Sequence, residues 1–193
     1  IDHRMLGLVE DVAVAIHGDA GMAAEAILGA LQGLDVNALG NRDSRLAEVK
    51  AQKEAWANEL TEWSSSDALP MAPRRALREL EKAMPKRVMV STDIGNINAV
   101  ANSYLRFDEP RSFFAPMSFG NCGYALPTMI GAKVAAPDRP AISYAGDGAW
   151  GMSMSEIMTC VRHNIPVTSI VFHNRQWGAE KKNQVDFYNR RFV

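Results

Sequence analysis

Short apolar segments alternate with helical patterns along most of the chain, and this alternation limits the possible folds more than any other feature. From Met71 onward, the segments that favour strands are Val88–Ser91, Ser112–Ala115, Ala141–Ala145 and Val167–His173. Strands that are connected through helices form βαβ units, in which the strands are parallel and helices cover both faces of the sheet. We therefore predict an α/β fold with a doubly wound parallel sheet.

The intervening segments have helical periodicity, and we expect helices near Asn96–Leu105, Tyr124–Ala135 and Ser153–Arg162. An earlier helix is expected to begin at Pro73, because proline is tolerated in the first turn of a helix. Its buried positions follow the 3.6-residue period and are Ala76, Leu77, Leu80 and Met84.

The residues before Met71 are predicted to contain the tail of another α/β domain. Val12–Ile16 favours a strand, and His17–Gly21 leads into a helix whose apolar side holds Ala23, Ala26, Ile27, Ala30 and Leu31. A charged helix follows at about Ser44–Trp63, with Leu46, Val49, Trp56, Leu60 and Trp63 along one side. The expected domains are residues 1–40, a helical linker at 41–70, and a third domain, incomplete at its C-terminus, at 71–193. Because the chain starts at Ile1 without an initiator Met, we interpret it as a piece of a longer protein.

Composition excludes several functional classes. Apolar residues make up 47% of the chain, which is enough for a packed core. The net charge of −1 gives no basic surface for nucleic acid or for a membrane. The two cysteines, Cys122 and Cys160, do not suggest a disulfide framework or a metal site. They fit a reducing compartment, so we expect a cytoplasmic protein.

One motif carries recognisable chemistry. The strand Ala141–Ala145 runs directly into GDGAWGM, and Asn174 stands 27 residues after Asp147, at the end of the next strand. Two adjacent parallel strands joined by one helix need about this length, so both side chains are expected at the edge where open α/β sheets bind ligands. Carboxylate and amide oxygens suit Mg²⁺, and the N–H groups of Gly148 and Ala149 at a helix start suit an anion.

A second glycine-rich turn, GDAG at Gly18–Gly21, lacks this pattern. The residue 27 positions after Asp19 is Leu46, which lies in a charged helix and cannot bind a metal. We expect Asp19 only to cap the helix that follows it.

At this point Met71–Val193 resembles the thiamine diphosphate (ThDP)-dependent enzymes, whose pattern is GDG followed by Asn after a gap in the high twenties. The resemblance implies that ThDP and Mg²⁺ are the cofactors. It implies three metal ligands, which are Asp147, Asn174 and the backbone carbonyl of Gln176.

Three further blocks resemble the acetolactate synthase branch of these enzymes: Ser118–Pro140, Ser91–Asn96, and Met152 after the GDG turn. The resemblance implies that the Gly120 carbonyl and the N–H of residue 122 contact the pyrimidine. Gly120, Cys122 and Met152 are thus the expected catalytic positions. The full expected set of cofactor-binding residues is Asn96, Ile97, Gly120, Cys122, Asp147, Gly148, Ala149, Met152, Asn174, Gln176 and Gly178.

The sequence departs from the branch at Cys122, which replaces the bulky Met, Leu or Ile that usually separates the two cofactor rings. Either Met152 takes part of that role or the pocket is wider. A nucleophilic or redox role for Cys122 competes with that of a buried apolar side chain. In addition, the family's activating glutamate lies on another domain that no segment here resembles, so this chain alone is expected to be inactive.

Tyr144–Gln184 resembles most the sulfoacetaldehyde acetyltransferase family. That resemblance implies conversion of sulfoacetaldehyde and phosphate to acetyl phosphate and sulfite by a homodimer or homotetramer. The basic segment Arg175–Lys182 suits two anionic substrates, or it holds ordinary solvated charges. Two alternatives stay open: an acetolactate synthase-like carboligase, which would carry Trp where this chain has Asn183, and a non-catalytic ThDP-fold binding module.

Overall fold

The structure is a computed structural model that describes residues 3–35 and 40–192. The chain divides into two compact units, residues 1–55 and 56–193. Within the described residues, no helix is both long and apolar enough to span a membrane. The predicted domain limits stay predictions, and the range 1–40 includes residues 36–39, which lie outside the described part.

The first unit contains a 3₁₀ turn, His3–Met5, and helix α1, Ala20–Gln32. Asp19 caps α1, since its Oδ1 accepts a hydrogen bond from the Met22 N–H at 3.0 Å. The second glycine-rich turn is therefore a helix cap, as predicted.

The predicted strand Val12–Ile16 is wrong, because these residues are irregular and their apolar side chains are exposed. A strand needs a neighbour to satisfy its backbone groups, and the described residues of this unit contain no other strand.

Helix α2 spans Arg42–Trp63, close to the predicted limits. Of its predicted apolar side, only Leu60 is buried among the described residues. The Trp56 and Trp63 rings meet edge to face at 5.7 Å, and the Arg74 guanidinium lies 4.4 Å from the Trp63 ring centroid.

The second unit is built on a four-stranded parallel sheet, as predicted from the alternating pattern. Its strands are β1 Met89–Thr92, β2 Phe113–Phe114, β3 Ala141–Gly146 and β4 Thr168–Phe172. The spatial order is β2-β1-β3-β4. The strand order therefore reverses between β1 and β3, and such a switch point leaves a crevice at the carboxyl ends of the strands.

Helices cover both faces of this sheet. They are α3 Pro73–Ala83, α4 Asn96–Tyr104, α5 Ala125–Ala135, α6 Asp147–Ser153, α7 Ile157–His163 and α8 Gly178–Phe187. Because side chains alternate along a strand, Val90 and Tyr144 enter one core with Leu77, while Met89 and Ala141 enter a second core with Met129.

Two parts of the helical structure differ from the prediction. Helix α6 begins at Asp147, directly after β3, and a 3₁₀ turn at Met154–Glu156 separates it from α7. An acidic residue in the first turn favours this early start, because it faces the positive end of the helix dipole. Helix α8 was not predicted, since its apolar periodicity is weak and its residues are mainly polar.

Asp93 connects the end of β1 to the start of α5. It is fully buried, and its carboxylate accepts hydrogen bonds from the N–H groups of Tyr124 at 2.7 Å and Ala125 at 3.2 Å. Burial raises the pKa of this carboxyl, although the backbone N–H groups act in the opposite direction. Ser91 adds a second connection, because its hydroxyl donates to the Ala125 carbonyl at 2.6 Å.

Substituting Asp93 tests this connection. Asp93→Ala leaves two N–H groups of α5 without their acceptor and is expected to cost about 1–3 kcal/mol of unfolding free energy. Asp93→Asn retains one acceptor oxygen and should cost less. Urea unfolding measures both variants, with the exposed Asp67→Ala as a control expected to remain close to the parent. Equal stability of Asp93→Ala and Asp67→Ala would contradict the proposed cap.

Candidate functional site

A cleft of about 1070 Å³ lies at the switch point of the sheet. It is lined by the loop after β1, the start of α6 after β3, and the segment from the end of β4 into α8. The Gly120–Cys122 loop and residues 70–73 complete its walls. The cleft is therefore where the topology of an open α/β sheet places a ligand.

Asp147 is held at the base of the cleft by three hydrogen-bonding groups. Its Oδ1 accepts from the Gly148 N–H at 3.0 Å, and its Oδ2 accepts from the Arg175 N–H at 2.6 Å. The His173 Nδ1 lies 2.7 Å from the same Oδ2. Partial desolvation acts to raise the pKa of the Asp147 carboxyl, but these groups outweigh it and lower the pKa. The side chain is thus kept ionised at neutral pH, as a cation ligand requires.

Asn174 stands two residues after β4, beside Asp147 in the folded chain. Its Oδ1 accepts the Gln176 N–H at 3.1 Å, which turns the segment back toward the cleft. Arg175, whose N–H donates to Asp147, directly follows Asn174 in the chain. One turn therefore connects both predicted metal ligands. The predicted positions of Asp147 and Asn174, after neighbouring parallel strands, are those the structure shows.

At two glycines of the site, an added side chain would force a neighbouring group to shift. A Cβ on Gly148 would stand 2.9 Å from the Trp177 indole, and a Cβ on Gly178 would stand 3.0 Å from the Asn174 Nδ2. The first contact places the segment after β4 directly against the start of α6. Both glycines line the cleft without a side chain, so the wall is backbone at these two positions.

Most of the predicted cofactor residues come together along this cleft. Those that line it are Asn96, Ile97, Gly120, Cys122, Asp147, Gly148, Ala149, Asn174, Gln176 and Gly178. Met152 is not among the described residues that line the cleft. Its Cβ lies 3.2 Å from the position that a Cβ added to Gly123 would take. The roles of all these residues stay predictions, although their common location is a finding.

Cys122 packs as an apolar side chain. It lies against the buried cluster of Ala125, Ala145 and Ala149. Desolvation by burial raises the pKa of its thiol, and the charges of Asp93 and Glu180 raise it further. A thiol that resists ionisation is a poor nucleophile, so the geometry favours the apolar role over a reactive one.

The donor chemistry of the cleft fits a magnesium ion. Within residues 3–35 and 40–192, no three His, Cys, Asp or Glu side chains are grouped as a metal site. A metal bound by Asp147 would therefore depend on amide and carbonyl oxygens beside that carboxylate. Such a hard set of oxygen donors suits Mg²⁺, which shares its remaining positions with phosphate and water.

Two residues of the site were missed by the sequence analysis. His173 orients the Asp147 carboxylate, and Trp177 lines the cleft while packing on Gly148. The signal was the aromatic and imidazole residues flanking Asn174 in HNRQWG. Their contacts depend on the turn after β4, which no periodicity indicates.

The basic segment divides into three different environments. Arg175 lines the cleft, whereas Lys181 donates to the Gln176 Oε1 at 2.8 Å and lines a smaller neighbouring cavity. Lys182 pairs with Asp186 one helical turn away. Arg175 is therefore the residue of this segment whose location best suits an anion in the main cleft.

The contact between Gly148 and Trp177 generates a stability test. Gly148→Ala forces the indole to move and is expected to cost about 1–3 kcal/mol by overpacking. Gly151→Ala, in the same helix α6, meets nothing within 4 Å and should leave stability unchanged or raised. Urea unfolding compares the two variants. In the Trp177→Ala background the Gly148→Ala cost should shrink, and an undiminished cost would show that the contact is not its cause.

Comparison with known proteins relates this chain to enzymes that bind thiamine pyrophosphate. Residues 93–193 match the family model for the thiamine pyrophosphate enzyme, C-terminal TPP binding domain. Sulfoacetaldehyde acetyltransferases of Castellaniella defragrans and Alcaligenes xylosoxydans xylosoxydans are each 63% identical over the whole chain, which covers 35% of their length. A probable acetolactate synthase large subunit of Methanococcus aeolicus is 30% identical over 99% of the chain and 33% of its own length. The chain thus spans about a third of the curated relatives it matches.

Solved structures share the fold. A thiamine diphosphate-dependent 4-hydroxybenzoylformate decarboxylase of Rhodococcus jostii RHA1 has a TM-score of 0.59 at 23% identity, over 64% of this chain and 23% of that one. Benzoylformate decarboxylase of Polynucleobacter necessarius has a TM-score of 0.58 at 26% identity, over 65% of this chain and 24% of that one. Thiamine pyrophosphate is another name for ThDP, so the predicted resemblance is confirmed. The chain belongs to the thiamine pyrophosphate enzymes and carries their C-terminal TPP-binding domain.

Proposed function

We propose that this chain is the diphosphate- and metal-binding part of a ThDP- and Mg²⁺-dependent sulfoacetaldehyde acetyltransferase. The reaction converts sulfoacetaldehyde and phosphate to acetyl phosphate and sulfite. The observation that carries the proposal is the 63% identity to sulfoacetaldehyde acetyltransferases along the whole chain. The full protein is expected to be a cytoplasmic homo-oligomer whose other domains supply the rest of the active site.

The residues at the strand ends are suited to hold the metal and the diphosphate. Asp147, Asn174 and the Gln176 carbonyl would bind Mg²⁺, and the ionised state of Asp147 supplies the negative charge that a divalent cation needs. Around them, the backbone N–H groups at the starts of α4, α6 and α8 would suit the anionic diphosphate. Asn96, Ile97, Gly148, Ala149 and Gly178 contribute to these helix starts.

The Gly120–Cys122 loop is suited to the pyrimidine end. Gly120 has φ +76°, a conformation that favours glycine, and its N–H donates to the Pro116 carbonyl at 2.7 Å. Its own carbonyl thus belongs to a tight turn on the cleft wall. Cys122 lies beside it, and its small side chain leaves room that Met152 does not fill from its place against Gly123. When bound, ThDP supplies the nucleophilic carbon that attacks the substrate carbonyl.

Position 183 supports the acetyltransferase over the carboligase. Asn183 lines the cleft, where the acetolactate synthase branch would carry Trp. A carboxamide leaves more space and more polarity than an indole, and both suit small, strongly hydrated anions. Arg175 lines the same cleft with a guanidinium that can pair with sulfonate or phosphate oxygens.

The substrate assignment is tested by assaying the full-length protein. With sulfoacetaldehyde, phosphate, ThDP and Mg²⁺ present, we expect sulfite release and phosphate-dependent formation of acetyl phosphate. With pyruvate alone, we expect acetolactate formation to be at background. The opposite pattern would favour the carboligase, and a protein that binds ThDP but converts neither substrate would favour the non-catalytic module.

Arg175 provides a sharper test of substrate binding. Arg175→Ala is expected to raise the KM for sulfoacetaldehyde or phosphate by roughly ten- to a hundred-fold, since hydrogen bonds to charged groups are worth about 1.5–3 kcal/mol. Its backbone N–H to Asp147 persists in the variant, so ThDP affinity should be retained. Lys182→Ala serves as a control, because Lys182 pairs with Asp186. An unchanged KM for both substrates would place the anion site on other domains.

A further inference from the structure

Three serines form a row across the middle of the sheet. Ser91 on β1 is the register partner of Ser143 on β3, and Ser143 is the register partner of Ser169 on β4. The Ser143 hydroxyl donates to the Ser169 Oγ at 3.2 Å. Because side chains alternate along each strand, all three hydroxyls face the same side of the sheet.

Trp150 of α6 joins this row through its indole N–H. The Trp150 Nε1 donates to the Ser169 Oγ at 3.1 Å, across a partly buried contact. One serine oxygen therefore accepts from both Ser143 and Trp150, which uses the two lone pairs of the hydroxyl. The result is a hydrogen-bonded connection between β3, β4 and α6.

The connection joins the two elements that carry or lead to the predicted metal ligands. Trp150 is three residues after Asp147 in the same helix, and Ser169 belongs to the strand that leads to Asn174. We propose that the hydrogen bond from Trp150 to Ser169 fixes the spacing between Asp147 and Asn174, and so makes Trp150 and Ser169 positioning residues for the metal. This inference rests on the proposed metal site.

Helix α6 needs such a tether because it is intrinsically weak. It has only seven residues, two of which are the glycines Gly148 and Gly151. Glycine is the least favourable helix former after proline, and the described residues give α6 no side-chain cap. The hydrogen bonds to Asp147 and the packing of Trp177 on Gly148 hold the first turn of α6 against the segment after β4. The indole N–H of Trp150 adds a second attachment, one turn further along α6 and to β4 itself.

Packing alone does not account for the arrangement. The Trp150 ring lies against the small side chains of Ala125, Ala145 and Ala149, a cluster that phenylalanine would also fill. The indole N–H is the polar group that phenylalanine lacks, and it donates to Ser169. Groups that orient metal ligands from outside the first coordination layer typically alter metal affinity by about 10–100-fold.

The experiment titrates ThDP into the full-length protein by calorimetry at several Mg²⁺ concentrations. Trp150→Phe and Ser169→Ala are each expected to weaken the apparent Mg²⁺ affinity by about ten-fold. The double variant should be no weaker than either single one, because both remove the same hydrogen bond. Ser169→Thr retains the hydroxyl and should restore the affinity. Trp56→Phe and Ser65→Ala are matched controls in and just after α2.

Thermal unfolding of the metal-free protein separates positioning from stability. If Ser169→Ala lowers the unfolding temperature but keeps the parental Mg²⁺ affinity, the bond is structural and the proposal is overturned. Additive losses in the double variant would overturn it as well. Asp147→Ala is the reference for complete loss of Mg²⁺-dependent binding. If the parent protein itself binds ThDP without any dependence on Mg²⁺, the metal site fails, and this inference fails with it.

Discussion

The reversal of strand order between β1 and β3 is the constraint on which the remainder of this structure depends. Because β2 lies on one side of β1 and β3 on the other, the connections leave the sheet in opposite directions and open a crevice above the strand ends. The cleft, the helix starts around it and the residues predicted to bind the cofactor all follow from that opening. The location of the site is therefore set by the topology of the sheet, and the individual side chains act within that location.

Short-range contacts then convert the crevice into a defined site. The segment after β4 is drawn onto α6 by hydrogen bonds to Asp147 and by the packing of Trp177 on Gly148. The same contacts keep the Asp147 carboxyl ionised, since N–H donors stabilise its charged form. The geometry of the site and the charge of Asp147 therefore depend on the same hydrogen bonds.

The features that could be predicted from the sequence are those that follow from hydrophobic periodicity and from the spacing between motifs. Alternating apolar segments identified the parallel sheet, and the separation of Asp147 from Asn174 matched one helix between two adjacent strands. The strand at Val12–Ile16 was wrong, because an apolar pattern does not show whether a pairing strand exists. Asp93, His173 and Trp177 were missed because their roles arise from contacts between loops, whose conformation no repeat in the sequence records.

The buried Asp93 carboxylate links two walls of the cleft. It follows β1, whose loop forms one wall, yet it accepts its hydrogen bonds from the residues that follow the Gly120–Cys122 loop on another wall. A displacement of either loop must stretch these bonds or carry the other loop with it. We therefore expect the two walls to move together when a ligand displaces one of them.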